Sequence, residues 1–171
     1  MKVSTTVTYP PGIIKKQIIT HADPDLDAIV SAWIAQDFLF KGHASEVLFV
    51  SRKVPEKRMQ HADCVVDVGN TYIPENYRFD HKPPAFQNRN STCATRLIWE
   101  YLRDTGADVA HLEPLVQITY QGDTHRNSDA LKQSRIDGPH AELKKLKSGH
   151  TETTEVYRQM VLYLRSYTKN L

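Results

Sequence analysis

The residues best equipped for chemistry are His21-Ala22-Asp23-Pro24-Asp25-Leu26-Asp27, one imidazole and three carboxylates in a short stretch. Crowded carboxylates repel one another, and the repulsion costs free energy unless a cation offsets it. Hard oxygen ligands together with imidazole suit Mn²⁺, Mg²⁺, Zn²⁺ or Fe²⁺. A plainer reading stays open, in which Asp25 or Asp27 caps a helix and the rest are solvated. Asp is a favoured N-cap, and negative charge is stabilised at a helix N-terminus. Three later positions stand out by location. Asp67 closes the apolar run Cys64-Val65-Val66, Asp80-His81 follows Tyr77-Arg78-Phe79, and Asp123 follows Gly122 at a predicted helix end, with His125 just beyond. A charge that ends an apolar strand is costly unless paired or coordinated. A carboxylate at a helix C-terminus opposes the helix dipole. The alternatives are an Asp67 that accepts backbone hydrogen bonds near Gly69 and an Asp80-His81 structural pair.

The elements that must position these residues alternate between strand and helix. Strands are predicted at Lys16–Thr20, Glu46–Val50, Cys64–Gly69 and Tyr77–Asp80. A buried helix is predicted over Asp27–Phe40, closed by Lys41-Gly42. Arg52–Gln60 reads as a loop or short helix, and Pro83-Pro84 as a loop. Ser91 or Thr92 should cap a helix that runs to Arg103. A further helix spans His111–Gln121, with Pro114 tolerated in its first turn. Residues 126–150 are polar and broken by Gly and Pro, with a short helix near Leu143, before a C-terminal helix over Thr151–Thr168. This alternation predicts an α/β fold: a mostly parallel sheet with helices on both faces, in three layers. In such sheets, sites gather at the carboxyl ends of strands. His21, Asp67 and Asp80-His81 all fall at predicted strand ends.

Composition sets the outer bounds. A chain of 171 residues suits one domain, with residues 1–15 as an N-terminal arm and 126–171 as a polar loop plus helix. Hydrophobic residues at 40% and charged residues at 25% are ordinary for a globular protein, and a net charge of +2 gives no bulk polyanion signal. Cys64 and Cys93 lie in apolar surroundings and read as reduced, buried thiols. No apolar run approaches the length of a membrane span, and Met1–Pro11 lacks a signal core, so the expected location is the cytoplasm.

Taken in order, His21-x-x-Pro24-Asp25-x-Asp27, Asp67, Asp80-His81 and Asp123 resemble the four motifs of the DHH phosphoesterase superfamily. Val65-Val66-Asp67-Val68-Gly69, Pro74, Tyr77-Arg78-Phe79-Asp80-His81 and Leu97-Ile98-Trp99 are most similar to its melanocyte-proliferating-gene (Myg-type) branch. The resemblance runs from Lys16 to Asp123. It implies two divalent ions, Mn²⁺ first, with Mg²⁺, Co²⁺ and Zn²⁺ as alternatives. One would be held by His21, Asp25 and Asp67, and the second by Asp27, Asp67, His81 and Asp123, with Asp67 bridging. Four aspartates (Asp25, Asp27, Asp67, Asp123) would then balance the charge of two divalent ions. Asp25, Asp67, His81 and Lys82 form the expected catalytic group, and Asp23 and Asp80 would orient their neighbours.

The chain departs from the family where the third motif, Asp-His-His, reads Asp80-His81-Lys82. A lysine offers a point charge to phosphate but is a poor general base at its ordinary pKa. Many family members also carry a separate C-terminal substrate-binding domain, for which residues 124–171 are too few. Substrate contacts are therefore expected from Lys82, Arg89, Arg96, His125 and Arg126, from the tail, or from the partner subunit of a homodimer. The tail residues Lys132, Arg135, Lys144, Lys145 and Lys147 read better as a solvated face balanced by Asp129, Asp137 and Glu142 than as a nucleic-acid surface. The resemblance implies a metal-dependent phosphohydrolase acting on a small phosphorylated substrate or short nucleic acid, with oligonucleotides or nucleotides favoured and no membrane partner. Two alternatives stay open: a small-phosphate (pyrophosphate-like) hydrolase, and a catalytically weakened module that binds metal or nucleotide.

Overall fold

The computed structural model describes residues 14–52, 56–150 and 152–171. Most of the expected N-terminal arm, and Thr151 at the expected start of the last helix, lie outside the described residues. The first strand, β1 (Lys16–His21), runs into an acidic turn and then α1 (Leu26–Ile34). All nine residues of α1 are buried, so it packs on every side. Ile29, Val30, Trp33 and Ile34 are almost fully enclosed, and each such side chain contributes about 1.5–3 kcal/mol by leaving water. The helix does not run on unchanged to Phe40 as the sequence suggested. It widens into a π-turn over Ala35–Leu39, and Gly42 then takes a left-handed conformation (φ 84°). Asp37 on that wide turn accepts from Trp33 Nε1 (2.7 Å) and receives both ends of the Arg165 guanidinium (2.7 Å each).

The chain continues through β2 (Ser45–Val50), a short α2 (Glu56–Gln60), β3 (Cys64–Val66), β4 (Tyr72–Ile73) and β5 (Arg78–Phe79). The sheet order is β2-β1-β3-β5-β4. All its pairings are parallel except β4 with β5. β4, with only two residues, is not among the expected strands, and β3 ends at Val66 rather than at Gly69. Asp67 leaves the strand in a left-handed conformation (φ 54°), and Tyr77, expected within β5, does the same before it (φ 56°). Asp tolerates that region better than most residues because its short side chain bonds locally. The strand order reverses at β1: β2 lies to one side and β3 to the other. A crevice therefore opens at the carboxyl ends of β1 and β3.

The remaining helices are α3 (Ala94–Asp104), α4 (Glu113–Asp123), α5 (Asp129–Ile136), α6 (Pro139–Gly149) and α7 (Thr153–Tyr167). Residues 126–150 are thus mostly helical rather than a polar loop. Ser128 caps α5 by accepting from Leu131 N (3.1 Å), and Pro139 opens α6 where its missing N–H is harmless. The two faces of the sheet are unequally covered. One face, through Ile18, Cys64, Val66 and Phe79, joins a large core with residues of α1, α3, α4, α6 and α7. The other, through Ile19, Val50 and Val65, belongs to a small cluster packed by Leu48 and by Met59 of α2. The molecule is therefore a mixed α/β structure with a mostly parallel sheet. Cys64 and Cys93 are buried free thiols. Among the described residues, no helix is long and apolar enough to cross a membrane.

Candidate metal centre

Three adjacent parallel strands deliver the central residues. His21 is the last residue of β1, Asp67 follows β3, and Asp80-His81 follows β5. The turn after β1 adds Asp25 and Asp27, and the end of α4 adds Asp123. All six expected metal-ligating residues converge. One group is His21, Asp25 and Asp67, and another is Asp27, His81 and Asp123. Within each, one ligand atom per residue lies within 4.8 Å of the others. His21 Nε2 is 3.0 Å from Asp67 Oδ2 and 3.9 Å from Asp25 Oδ1. His81 Nε2 is 3.5 Å from Asp123 Oδ2, 3.9 Å from Asp27 Oδ2 and 3.5 Å from Asp67 Oδ1. The two oxygens of Asp67 thus face different groups, one towards His21 and the other towards His81.

Each carboxylate has a local reason for its place. Asp25 caps α1, its Oδ1 accepting from Ala28 N (3.0 Å). Asp27 reaches across the fold. Its Oδ2 accepts from Ala94 N (2.9 Å) and its Oδ1 from Thr95 N (2.8 Å), so it caps α3. That replaces the Ser91 or Thr92 cap expected from sequence; the residue at the cap position, Cys93, does not cap the helix with its side chain. The capping reading therefore holds for Asp25, whereas Asp27 caps a different helix from the one expected, and both also converge with the histidines. His81 is oriented by its other nitrogen: Nδ1 lies 2.7 Å from the Arg89 carbonyl oxygen. A second hydrogen bond of this kind fixes the ring and its tautomer, as in many metal-binding histidines. Asp80 Oδ2 accepts from Asn70 N (2.8 Å).

The electrostatics are those of a site short of positive charge. Burial, then the charges of Asp67, Asp123 and Asp25, push the Asp27 carboxyl up to about 7. Burial likewise raises Asp123, with Asp67 adding to it. Asp67 goes the other way. Burial opposes its ionisation, yet hydrogen bonds from His21 and His81 and the Lys82 ammonium hold it far below the usual carboxylate range. Burial also opposes a charged His81, but Asp67, Asp27, Asp123 and the Arg89 carbonyl raise it to about 9. Asp123 Oδ2 is buried and accepts no hydrogen bond, and His21 Nδ1 is likewise unpartnered. An orphaned buried carboxylate oxygen that faces an imidazole and three further aspartates is what a cation would satisfy. These buried Asp/His groups could hold a metal ion, and the donor set of hard oxygens and imidazole fits a divalent one.

Several assignments change. Asp23 does not orient His21; it is exposed and pairs with Lys147 Nζ (2.5 Å), tying the acidic turn to α6. Lys147 thus stays exposed but is balanced by Asp23 rather than by a tail carboxylate, whereas Lys132 and Lys145 pair with Asp129 and Glu142 as expected. Among the proposed substrate contacts, Arg96 and Arg126 both stack on the Tyr120 ring, each 5.0 Å from its centroid, and Arg96 also pairs with Glu100 (2.8 Å). Arg89 acts through its backbone on His81, and His125 is exposed in a left-handed turn (φ 56°). Lys82 turns inward to Asp67 and Asp80 rather than standing free for a phosphate.

Two neighbours escaped the sequence reading. Arg52 Nη2 lies 3.3 Å from His21 Nε2. His140 of α6 lines a cavity of about 140 Å³ with Asp25, Asp27, Thr119, Gly122 and Asp123. Burial, reinforced by Arg135, lowers His140 to about 4, so its ring is neutral, with Nδ1 2.9 Å from Ser134 Oγ. No local signal marks either residue, since both arrive from elements without a motif. Comparison with protein-family models, with curated proteins and with solved structures finds no match for this chain.

Proposed function

We propose that the chain is a divalent-metal-dependent phosphohydrolase, acting on a phosphodiester or phosphoanhydride, with short oligonucleotides or nucleotides favoured. The observation that carries this reading is Asp67, whose two oxygens face two separate ligand groups at the ends of adjacent strands. His21, Asp25 and Asp67 Oδ2 would hold one cation; Asp27, His81, Asp123 and Asp67 Oδ1 would hold another. Mn²⁺ is the first choice for a set of aspartates with imidazole, and Mg²⁺, Co²⁺ and Zn²⁺ are alternatives. Bound cations would supply Lewis acidity to a phosphoryl oxygen and acidify a water, the established logic of two-metal phosphoryl hydrolysis.

The protein's own contributions follow from its contacts. Asp27 is fixed by two backbone amides, so its carboxylate cannot swing away when substrate enters. His81 is held through Nδ1, which aims Nε2 at the carboxylates. The cavity beside Asp25, Asp27 and Asp123 gives a small group room next to the centre. A second reading, a metal- or nucleotide-binding module without turnover, is favoured by one contact: the Lys82 ammonium sits on Asp67.

The test is hydrolysis of bis-p-nitrophenyl phosphate, p-nitrophenyl phosphate, pyrophosphate and short RNA with added Mn²⁺, beside an Asp25→Ala/Asp67→Ala variant. Mn²⁺-dependent turnover of a diester or short RNA that the variant loses supports the proposal. Turnover of pyrophosphate alone moves it to a small-phosphate hydrolase. Metal binding with no turnover of any substrate selects the binding module, and full activity in the variant removes the site.

A further inference from the structure

The Lys82 side chain is a buried feature of this centre that works against a pair of equivalent ions. Its ammonium bonds to Asp67 Oδ1, to the Asp67 carbonyl oxygen (3.2 Å) and to Asp80 Oδ1 (3.1 Å). An ammonium has three protons, so these three oxygens satisfy it completely. Lys82 is only 16% exposed at its side chain, and Asp67 and Asp80 are buried to 2% and 0%. The oxygen it takes is Oδ1, the one that faces His81 Nε2 at 3.5 Å; Oδ2 stays with His21. Lys82 Nζ itself stands 3.5 Å from His81 Nε2. A cation shared by Asp67 Oδ1 and His81 Nε2 would press against the ammonium, with like charges in contact and little water to screen them.

We propose that Lys82 is a tethered cation that makes the two positions of the centre unequal. The proposal rests on the metal-centre reading above and adds an order of filling. A first divalent ion enters at His21, Asp25 and Asp67 Oδ2, where the nearby cation, Arg52 (Nη2 3.3 Å from His21 Nε2), is exposed and can turn to water, unlike the enclosed Lys82. A second ion, at Asp27, His81 and Asp123, gains Asp67 Oδ1 only if the Lys82 side chain swings out. Breaking a saturated, buried ion pair is strongly unfavourable, so the second ion binds much more weakly than the first. Lys82 is in this sense a positioning residue that sets the metal content of the centre. A phosphorylated substrate would help fill the second position by giving the displaced ammonium a new anionic partner.

The experiment is Mn²⁺ binding followed by calorimetry and by the electron paramagnetic resonance of bound Mn²⁺, on the wild-type protein, Lys82→Gln and Lys82→Arg, with folding checked by circular dichroism. Wild type should bind one ion tightly and a second at least about tenfold more weakly, a difference of about 1.4 kcal/mol. Lys82→Gln should bring the two affinities together and produce the exchange-coupled signal of paired Mn²⁺ ions. Lys82→Arg keeps the charge and should keep the inequality. Two ions of equal affinity in the wild-type protein overturn the proposal without any variant, as does a Lys82→Gln protein that retains the wild-type gap. A wild-type protein that binds no Mn²⁺ overturns the metal-centre reading itself, a different result from equal binding.

Discussion

Asp67→Asn keeps the shape of the side chain and removes its charge. Asp67 is 2% exposed and touches His21, His81 and Lys82 at once. Removing one partner of a buried ion pair costs about 3–5 kcal/mol, since the other charge is stranded. Two features reduce that figure. Lys82 keeps Asp80 Oδ1 and the residue-67 carbonyl oxygen. Asp27 and Asp123 lose a repulsive neighbour. The expected net loss in metal-free protein is about 2–3 kcal/mol, reduced to just below that range. For a domain of this size that lowers the melting temperature by about 5–10 °C. The assay is thermal unfolding in EDTA and again in excess Mn²⁺. Wild type should gain stability from Mn²⁺, because a ligand that binds only the folded state stabilises it. The amide of the variant offers no negative charge to either group of ligands, so most of that gain should vanish. An Asp67→Asn protein that matches wild type in EDTA and gains as much from Mn²⁺ would show that this carboxylate neither holds the strand ends together nor meets a cation.

The pH dependence of metal-free stability has a definite sign. The folded-state values of Asp27 (about 7, against an ordinary 3.8) and His81 (about 9, against 6.5) are both raised. Each therefore contributes stability that is complete below its ordinary value and is lost as pH rises through the folded one. Asp67, which is lowered, loses its contribution only in strong acid. The melting temperature in EDTA should thus fall from about pH 4 to about pH 9, first through Asp27 and then through His81, and stop falling in excess Mn²⁺, because the metal displaces those protons; a flat or rising profile in EDTA contradicts it. Gly122→Ala would place a methyl group against His140 Nε2, well inside contact distance. His140 is anchored to Ser134, so overpacking should cost about 1–3 kcal/mol by urea denaturation, and Gly122→Ala/His140→Ala should recover most of it.

The parts of the centre that were legible in the sequence are those in which a local pattern is broken. Asp67 stands out because it ends a buried three-residue strand, and His21 and Asp80-His81 because they follow apolar or aromatic runs. Asp123 stands out because a carboxylate is misplaced at the end of α4. The remainder was hidden because it depends on contacts between distant segments. Asp27 reads locally as a cap for its own helix, yet it caps α3, with Ala94 and Thr95 more than sixty positions away. Asp23 has nothing nearby to suggest Lys147. Arg96 and Arg126 look like free cations until Tyr120 is placed between them. Residues 126–150 are rich in helix-breaking and polar residues, but Leu131, Leu143 and Leu146 supply enough buried surface to hold two helices. The π-turn at Ala35–Leu39 has no periodicity of its own; beside the local tie from Trp33, Asp37 is held by Arg165 of the distant α7.

The amides of Ala94 and Thr95 end on the carboxylate that also meets His81, which gives the molecule a built-in reporter. Any cation drawn to Asp27 must share its oxygens with those two N–H groups and so alters the electron density they feel. Their proton chemical shifts and solvent-exchange rates should therefore respond to occupancy of the centre before any substrate is present.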